Sequence, residues 1–361
     1  MHRRRLLTTG AATAGAATLA APAVLRAQET FAWTMVMPWP KNTPGVGVGA
    51  ERFARRLEAL SGGRITITLY GAGELVPPFE VLDAVQGGTA DIAHGTPYYW
   101  VGKAPVLNYF TGVPLGLNAL ELPAWLQFGG GMDLWREVYQ DFGVVPFYAG
   151  SSGVQAGGWF REEIKGVDGL KGLKFRIAGL GAEVMRRLGA TPVVLPPGEI
   201  SPSLLSGAID AAEWIGPWND RAFGLFKVAK VYYVPAFHEP GPGLEVIVNK
   251  DRYAALPDDL KAAVESAALA ASTETLADFT YHNVESLQPL LAEEGVRMLP
   301  WPDDVAAALA ETSVKVLDDL QATDAQTKKV GESYMAFLKK AVPYAQSFDA
   351  GIQSLRQRAF G

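Results

Sequence analysis

The stretch that most constrains the fold is Gly172–Pro217, whose apolar runs and turns predict strand, helix, strand, helix and strand in succession. Arg176 lies inside an otherwise apolar strand of this stretch, and Glu213 and Trp214 end a second strand. Parallel α/β sheets bind ligands in the crevice beyond the carboxyl ends of their strands. A guanidinium directed into that crevice suits a planar anion such as a carboxylate. The stretch therefore predicts capture of a small organic acid.

The first 27 residues have the composition of an export signal. Arg3–Arg5 precede an uncharged run rich in Ala, Gly and Thr that extends to Leu25, and Arg26 and Ala27 offer a cleavage site. Paired arginines ahead of a weakly apolar run fit a twin-arginine signal. A membrane anchor is the alternative, but the run has few large apolar residues. We expect a cleaved signal and a soluble periplasmic protein.

Charge and cysteine content exclude several classes of partner and site. The chain has 32 basic and 38 acidic residues, and four of the basic ones lie in the signal, so the mature chain carries a net charge of −10. Such a surface repels polyanions, which argues against nucleic acid as a partner. The cysteine count is 0, which excludes disulfides, thiolate metal sites and the lipid-modified cysteine of a lipoprotein. The exported protein is therefore predicted not to be lipidated.

The second half of the chain contains one long helical pattern, Asp258–Leu287, which starts after Pro257 and is predicted to end before Pro289. A helix of this length measures about 45 Å, the span of two small domains side by side. Alternating strands and helices elsewhere predict two α/β lobes with largely parallel sheets. The predicted division is a signal at 1–27, lobe I at 28–151 and 244–257, a spanning helix at 258–288, and lobe II with the C-terminal helices at 152–243 and 289–361.

Oxygen-bearing groups near Arg176 suggest a cation site. Gln155, Glu213, the main-chain carbonyl of Trp214 and Glu239 offer only oxygen ligands, which suit a hard cation such as Na⁺ or Ca²⁺. Two exposed loop glutamates would explain the same pattern. The four histidines are scattered without zinc spacing, and a surface position is predicted for His238.

Aromatic residues cluster in two regions of the chain, at positions 98–100 and 214–218. They are Tyr98, Tyr99, Trp100, Trp214 and Trp218. Their number is consistent either with core packing or with the walls of a small-molecule pocket.

Two glycine patterns raise an enzymatic alternative. Gly45–Ala50 imitates a dinucleotide fingerprint, and Gly179–Gly181 follows a strand and opens a helix. A true fingerprint sits directly at the end of its strand, which Gly45–Ala50 does not, and Gly179–Gly181 lacks the third glycine because Val184 stands in its place. Both patterns therefore favour turn and helix-entry glycines. The alternatives are an exported dehydrogenase that uses Gly45–Ala50, a hydrolase with Glu213 and Glu239 as paired carboxylates, and the binding component of an ATP-driven importer.

Several segments extend over nearly all of the mature chain and together carry a family resemblance. They are Gly73–Pro77, Gly153–Gln155, Gly158–Arg161, Leu173–Arg176, Ile209–Pro217, Phe226–Ala229 and His238–Pro242. With these segments the chain resembles the extracytoplasmic solute-binding proteins of TRAP transporters, the DctP-type family. The similarity is to the branch that binds 2-oxo and 2-hydroxy monocarboxylates such as pyruvate, lactate and 2-oxobutyrate.

This resemblance implies a two-lobed periplasmic binding protein fold with a ligand cleft between the lobes and a long helix behind both. It implies a bridging cation, Na⁺ or Ca²⁺, and delivery of the ligand to the membrane subunits of the transporter. The residues it assigns are Arg176 for the substrate carboxylate, Gln155, Glu213, Glu239 and the Trp214 main chain for the cation, and Tyr98 and Tyr99 for the pocket wall. We expect Gln155 and Trp214 to touch the substrate as well.

Two further expectations follow from the resemblance. Some members of the branch dimerise by exchanging a C-terminal helix, and Pro343–Phe360 could serve in this way. Trp100 stands at a position of a third tyrosine in relatives, which leaves the polarity of the pocket, and hence the exact acid, open.

Overall fold

The computed structural model describes residues 29–293 and 295–361, so the predicted signal lies outside the described residues. The strands are β1 (Phe31–Val36), β2 (Ile65–Tyr70), β3 (Ile92–Gly95), β4 (Val144–Ser151), β5 (Gly158–Phe160), β6 (Lys174–Arg176), β7 (Thr191–Val193), β8 (Ala211–Ala212), β9 (Val231–Val234), β10 (Gly243–Asn249) and β11 (Arg297–Pro300). The α-helices are α1 (Val46–Leu60), α2 (Val81–Gln86), α3 (Glu121–Phe128), α4 (Gly131–Gln140), α5 (Gly179–Arg187), α6 (Pro197–Ser206), α7 (Pro217–Ala222), α8 (Lys250–Ala254), α9 (Asp258–Leu291), α10 (Asp303–Gln321), α11 (Ala325–Ser347) and α12 (Asp349–Phe360).

The strands form two sheets. The first has the order β2-β1-β3-β10-β4 and the second the order β11-β9-β5-β8-β6-β7. In the first sheet β10 runs antiparallel to both neighbours, and in the second β5 does the same. The prediction of largely parallel sheets therefore needs correction, because each sheet contains one reversed strand. The connections from β4 to β5 and from β9 to β10 each pass from one sheet to the other without a helix. A parallel pair of neighbouring strands requires a longer crossover connection, usually a helix.

Helix α1 shows how the glycine pattern is used. It begins at Val46, directly after Gly45, whose φ of 70° is accessible to glycine at little cost. A Cβ atom at Gly45 would lie 2.1 Å from the Phe279 ring, so the helix start also requires close approach to α9. Phe53 and Leu57 then bury the inner face of the helix. The prediction of helix-entry glycines is confirmed here and at Gly179, where α5 begins.

The long helix α9 contains 34 residues, which corresponds to about 50 Å. It packs on strand β4 of the first sheet, on helix α1 beside that sheet, and on helix α7 beside the second sheet. The predicted end before Pro289 is wrong, since the helix continues to Leu291. Pro289 lies in the last turn, where one missing N–H and a local adjustment cost less than in the middle of a helix. The helix thus backs both sheets, and the predicted lobe boundaries stay a prediction.

The core is divided between two clusters of apolar side chains, and both include residues from each sheet. In the part of the chain that the structure describes, none of the helices combines the length and apolar character that crossing a bilayer would require.

Candidate ligand and cation site

Arg176 ends β6 with its side chain fully buried. Its Nη1 donates to the main-chain oxygen of Glu213 at 2.9 Å and also to the carboxylate of the same residue. Its Nε donates to the main-chain oxygen of Leu195 at 3.3 Å. The remaining nitrogen, Nη2, is buried without a hydrogen-bond partner among the described residues. One edge of the guanidinium is therefore fixed by the protein, and one donor remains for a ligand.

A small cavity of about 20 Å³ lies between the loops of the two sheets. Its wall residues are Trp39, Val46, Thr96, Tyr98, Tyr99, Ser152, Gln155, Trp214, Ile215, Glu239, Pro242 and Leu244. The guanidinium carbon of Arg176 is 5.7 Å from the centre of the Trp214 ring, which belongs to this wall. Arg176 is thus paired with a carboxylate and also borders the cavity wall, and does not point to bulk solvent.

Glu213 is the counter-ion of Arg176 and is fully buried. Its Oε2 makes no hydrogen bond within the described part of the chain and lies 3.7 Å from Nε2 of His238. Burial alone would raise the pKa of Glu213, but the charge of Arg176 and the nearby His238 ring lower it overall. Glu213 therefore provides a fixed negative charge with one free oxygen.

Glu239 is the second buried carboxyl group, and its Oε1 has no hydrogen-bond partner in the described chain. Burial raises its pKa well above the ordinary value, and repulsion from Glu213 raises it further, while Arg176 offsets only part of this effect. A carboxyl group in this situation releases its proton most readily when a cation is nearby.

Gln155 is held by its main chain against the segment that carries Glu239. Its N–H donates to the oxygen of Glu239 at 3.2 Å, and its own oxygen accepts from Ala236 at 2.9 Å. The side-chain Nε2 donates to Oγ of Ser152 at 3.0 Å, which leaves Oε1 buried without a partner. The amide is therefore oriented with its oxygen free.

These observations test whether the residues fit a cation. Oε1 of Gln155, Oε2 of Glu213 and Oε1 of Glu239 are all buried oxygens without a partner in the described chain. Buried polar atoms are normally satisfied, and oxygen ligands are the preference of Na⁺ and Ca²⁺. The donor set therefore fits the predicted hard cation, and Trp214 follows Glu213 directly in the chain.

His238 corrects one expectation. It is buried, with 1% exposure, and neither ring nitrogen has a hydrogen-bond partner in the described residues, so the predicted surface position is wrong. One ligand atom each from Glu213, His238 and Glu239 lies within 4.8 Å of the others. The two glutamates are also buried, which removes the alternative of two exposed loop glutamates. In the sequence, only the position of His238 next to Glu239 indicated that this histidine could belong to the site.

The predicted wall aromatics divide into two groups. Tyr98 and Tyr99 lie in a 3₁₀ helix at Pro97–Trp100, stack with ring centroids 4.9 Å apart, and line the cavity with Trp214. Burial raises the pKa of Tyr99 to about 12, so its phenol is neutral. Trp218 instead stacks on His282 at 4.2 Å outside the cavity.

Trp100 also lies outside the cavity wall. Its Nε1 donates to Oε1 of Glu245 at 2.9 Å inside the first lobe. Trp100 therefore does not contribute to the polarity of the cavity wall, because its side chain belongs to the core. Trp39, by contrast, lines the cavity and was not predicted as a site residue.

The comparisons with known proteins now decide the family. A family model described as bacterial extracellular solute-binding protein, family 7, matches residues 35–324. The chain belongs to this family. The predicted two-lobed fold and the predicted membership among TRAP solute-binding proteins are both confirmed.

Individual relatives agree with this assignment. The chain is 43% identical to a monocarboxylate 2-oxoacid-binding periplasmic protein of Nostoc sp., over 94% of each chain. It is similar to a TRAP transporter solute-binding protein of Bordetella bronchiseptica, described with calcium and picolinate, with a TM-score of 0.89, 34% identity, and coverage of 92% of this chain and 98% of that one. A TRAP periplasmic solute-binding protein of Pseudoalteromonas atlantica, described with sodium and pyruvate, has a TM-score of 0.88, 33% identity, and coverage of 90% and 99%.

Proposed function

We propose that this solute-binding protein captures a small 2-oxo or 2-hydroxy monocarboxylate, such as pyruvate, lactate or 2-oxobutyrate, together with Na⁺ or Ca²⁺. The observation that carries the proposal is the buried Nη2 donor of Arg176 near a cavity wall that includes Oε1 of Gln155 and Oε1 of Glu239, all three without a partner among the described residues. The relatives described with pyruvate and sodium, or with calcium and picolinate, support it. The loaded protein then delivers its ligand to the membrane subunits of a TRAP transporter.

Each predicted residue has a distinct role in this proposal. Arg176 donates Nη2 to the ligand carboxylate, and Tyr98, Tyr99 and Trp214 enclose the ligand. Gln155, Glu213, Glu239 and the Trp214 carbonyl hold the cation. A bound cation supplies positive charge that neutralises the buried carboxylates and orients the oxygens of the acid.

The arrangement of the wall explains how binding and closure are linked. Trp39 and Tyr98 follow strands of the first sheet, whereas Trp214 and Ile215 follow a strand of the second. In the proposed mechanism, hinge motion brings these walls together over the ligand and removes water from the charges. Fewer water molecules around the charges strengthen the attraction between Arg176 and the carboxylate.

Calorimetry tests the proposal directly. Purified protein should bind pyruvate, lactate or 2-oxobutyrate with an affinity that falls after chelation of Ca²⁺ or after replacement of Na⁺ by K⁺. The two treatments also identify which ion is used. Protein that binds none of these acids in any of the buffers would contradict the proposed function.

The proposed receptor turns nothing over. In the hydrolase alternative Glu213 and Glu239 would act as paired carboxylates, yet Glu213 is held by Arg176 and is therefore engaged before any substrate arrives. Incubation with each acid, followed by product analysis, should return the acid unchanged. Uptake that depends on ATP hydrolysis in place of TRAP membrane subunits would favour the ATP-driven alternative.

We further propose that the C-terminal helix mediates a homodimer. None of the α12 residues is buried, and Ile352, Leu355 and Phe360 are exposed by 52%, 61% and 89%. An isolated helix of this length is marginal in water. A groove between α3 and α11, lined by apolar residues that include Leu120 and Phe337, offers a place for α12 of a second copy. Light scattering of a chain shortened after Phe348 should give a monomer where the full chain gives a dimer.

We also propose that export uses the twin-arginine signal at 1–27. Replacement of Arg3–Arg5 by lysines should leave the protein in the cytoplasm, as fractionation would measure. Continued export of that variant would contradict the proposal.

A further inference from the structure

Trp39 occupies a position that the assigned site residues leave unexplained. It follows β1 in a loop flanked by Pro38 and Pro40, and it is only 1% exposed. Its main-chain oxygen accepts from Ala72 at 3.0 Å, and its ring packs edge-on against His94 with centroids 5.3 Å apart. The indole is therefore held firmly where the first sheet borders the cavity.

The hydrogen bonding of the buried tryptophans shows which indole N–H groups stay free at the cavity wall. Several of them donate their indole N–H to an acceptor within the chain. These pairs are Trp100 with Glu245, Trp125 with Ser333, Trp159 with Asp220, and Trp301 with the oxygen of Pro235. In the described residues, Nε1 of Trp39, Trp135 and Trp214 is buried without a partner. Trp39 and Trp214 line the cavity, whereas Trp135 packs between Phe110 and Tyr139 in the core.

A ligand oxygen would satisfy such a donor. A buried N–H without an acceptor is unfavourable, and the cost disappears when an acceptor arrives. The oxygens of a 2-oxo monocarboxylate accept hydrogen bonds and bring no donor of their own. Arg176 offers its Nη2 from the second sheet, and Trp39 offers Nε1 from the first. Nη2 of Arg176 and Nε1 of Trp39 thus belong to opposite sides of the cavity.

We propose that Trp39 is a ligand-binding residue that donates its indole N–H to an oxygen of the bound acid. This inference rests on the proposed function and adds a direct ligand contact from the first sheet. The acid then bonds to both sheets at once, so the contact with Trp39 forms only in the closed state. Affinity and closure therefore depend on the same hydrogen bond.

Calorimetry with pyruvate tests the inference through two matched variants. Trp39→Phe keeps an aromatic ring and removes the N–H, and we expect it to bind pyruvate about tenfold more weakly. Trp135→Phe removes an equally buried and unpartnered N–H away from the cavity and should bind as the parent does. Circular dichroism verifies that both variants are folded. A folded Trp39→Phe with the affinity of the parent overturns the inference.

Nuclear magnetic resonance of the parent chain gives an independent readout. The indole ¹H resonance of Trp39, assigned through its contacts with the His94 ring, should move downfield when pyruvate is added, while that of Trp135 stays in place. An unmoved Trp39 resonance at saturating pyruvate overturns the inference even if Trp39→Phe fails to fold. A parent chain that binds no 2-oxo acid overturns the proposed function as well, whereas pyruvate binding without an effect at Trp39 refutes only the role of Trp39.

Discussion

Replacement of Arg176 by lysine is the sharpest test of the site. Nη1 and Nε of the guanidinium are engaged by Glu213 and Leu195, and Nη2 is the donor left for the ligand. Lysine keeps the positive charge but has a single nitrogen. Its three N–H donors start from one point, so they do not reproduce the two separate nitrogens with which arginine reaches Glu213 and the ligand carboxylate at once. We therefore expect Arg176→Lys to fold and to bind the acid poorly.

The expected loss follows from the bond that disappears. A hydrogen bond to a charged group contributes about 1.5–3 kcal/mol. This range corresponds to binding that is weaker by roughly 10- to 150-fold. Arg176→Ala is a poorer test, because it leaves Glu213 buried without its counter-ion and costs about 3–5 kcal/mol of folding free energy. A weak-binding alanine variant could therefore reflect partial unfolding alone.

The assay is calorimetric titration of pyruvate into Arg176→Lys, beside Arg187→Lys as a control. Arg187 pairs with Glu183 and Asp319 at the protein surface, so its replacement tests the same chemical change away from the cavity. The control should bind as the parent does. If Arg176→Lys is folded and its dissociation constant equals that of the parent, the carboxylate does not depend on Arg176 and the proposed site is refuted.

Three further predictions concern pH, the cation and the backbone. Burial raises the pKa of Glu245 from 4.5 to about 8. The contribution of this group to the free energy of unfolding is therefore fully present below pH 4.5 and should be lost by about 1.4 kcal/mol per pH unit until about pH 8. Thermal melts across pH should show a shallower fall of stability in this range for Glu245→Gln, and an unaltered slope would contradict the prediction. Glu239→Gln keeps an oxygen but removes the charge, so calcium titration should show roughly tenfold weaker binding, and equal affinity would exclude Glu239 as a ligand. Gly45→Ala should lower the free energy of unfolding by about 1–3 kcal/mol in urea, more than Gly62→Ala, because its Cβ meets Phe279 whereas that of Gly62 meets open space.

Local patterns predicted much of the architecture. The long helical pattern between Pro257 and Pro289 placed α9 within a few residues of its observed bounds. The direction of β5 and β10 was not predictable in the same way. Strand direction depends on how the chain passes between the two sheets, and no short segment records that path.

The site shows the same division between local and long-range information. A charged residue in an apolar strand marked Arg176 as unusual, and the family resemblance supplied its companions. The pairing of Arg176 with Glu213 joins residues 37 positions apart, and His238 reaches them from a third segment. The burial of His238 and the free N–H of Trp39 depend on the packing of all these segments. Sequence patterns do not report which donors remain unused after folding.

The internal pairing of Arg176 with Glu213 has a consequence for selectivity among dissolved salts. Because the guanidinium already has a counter-ion inside the chain, Arg176 alone presents little net positive charge to phosphate or sulfate from the medium. In the proposed function, an organic acid that arrives alone would bring an uncompensated negative charge into a dry space, and a metal ion that arrives with it cancels that charge. In this mechanism the receptor closes when the organic acid and the metal ion are both present, and it remains open when only one of them is present.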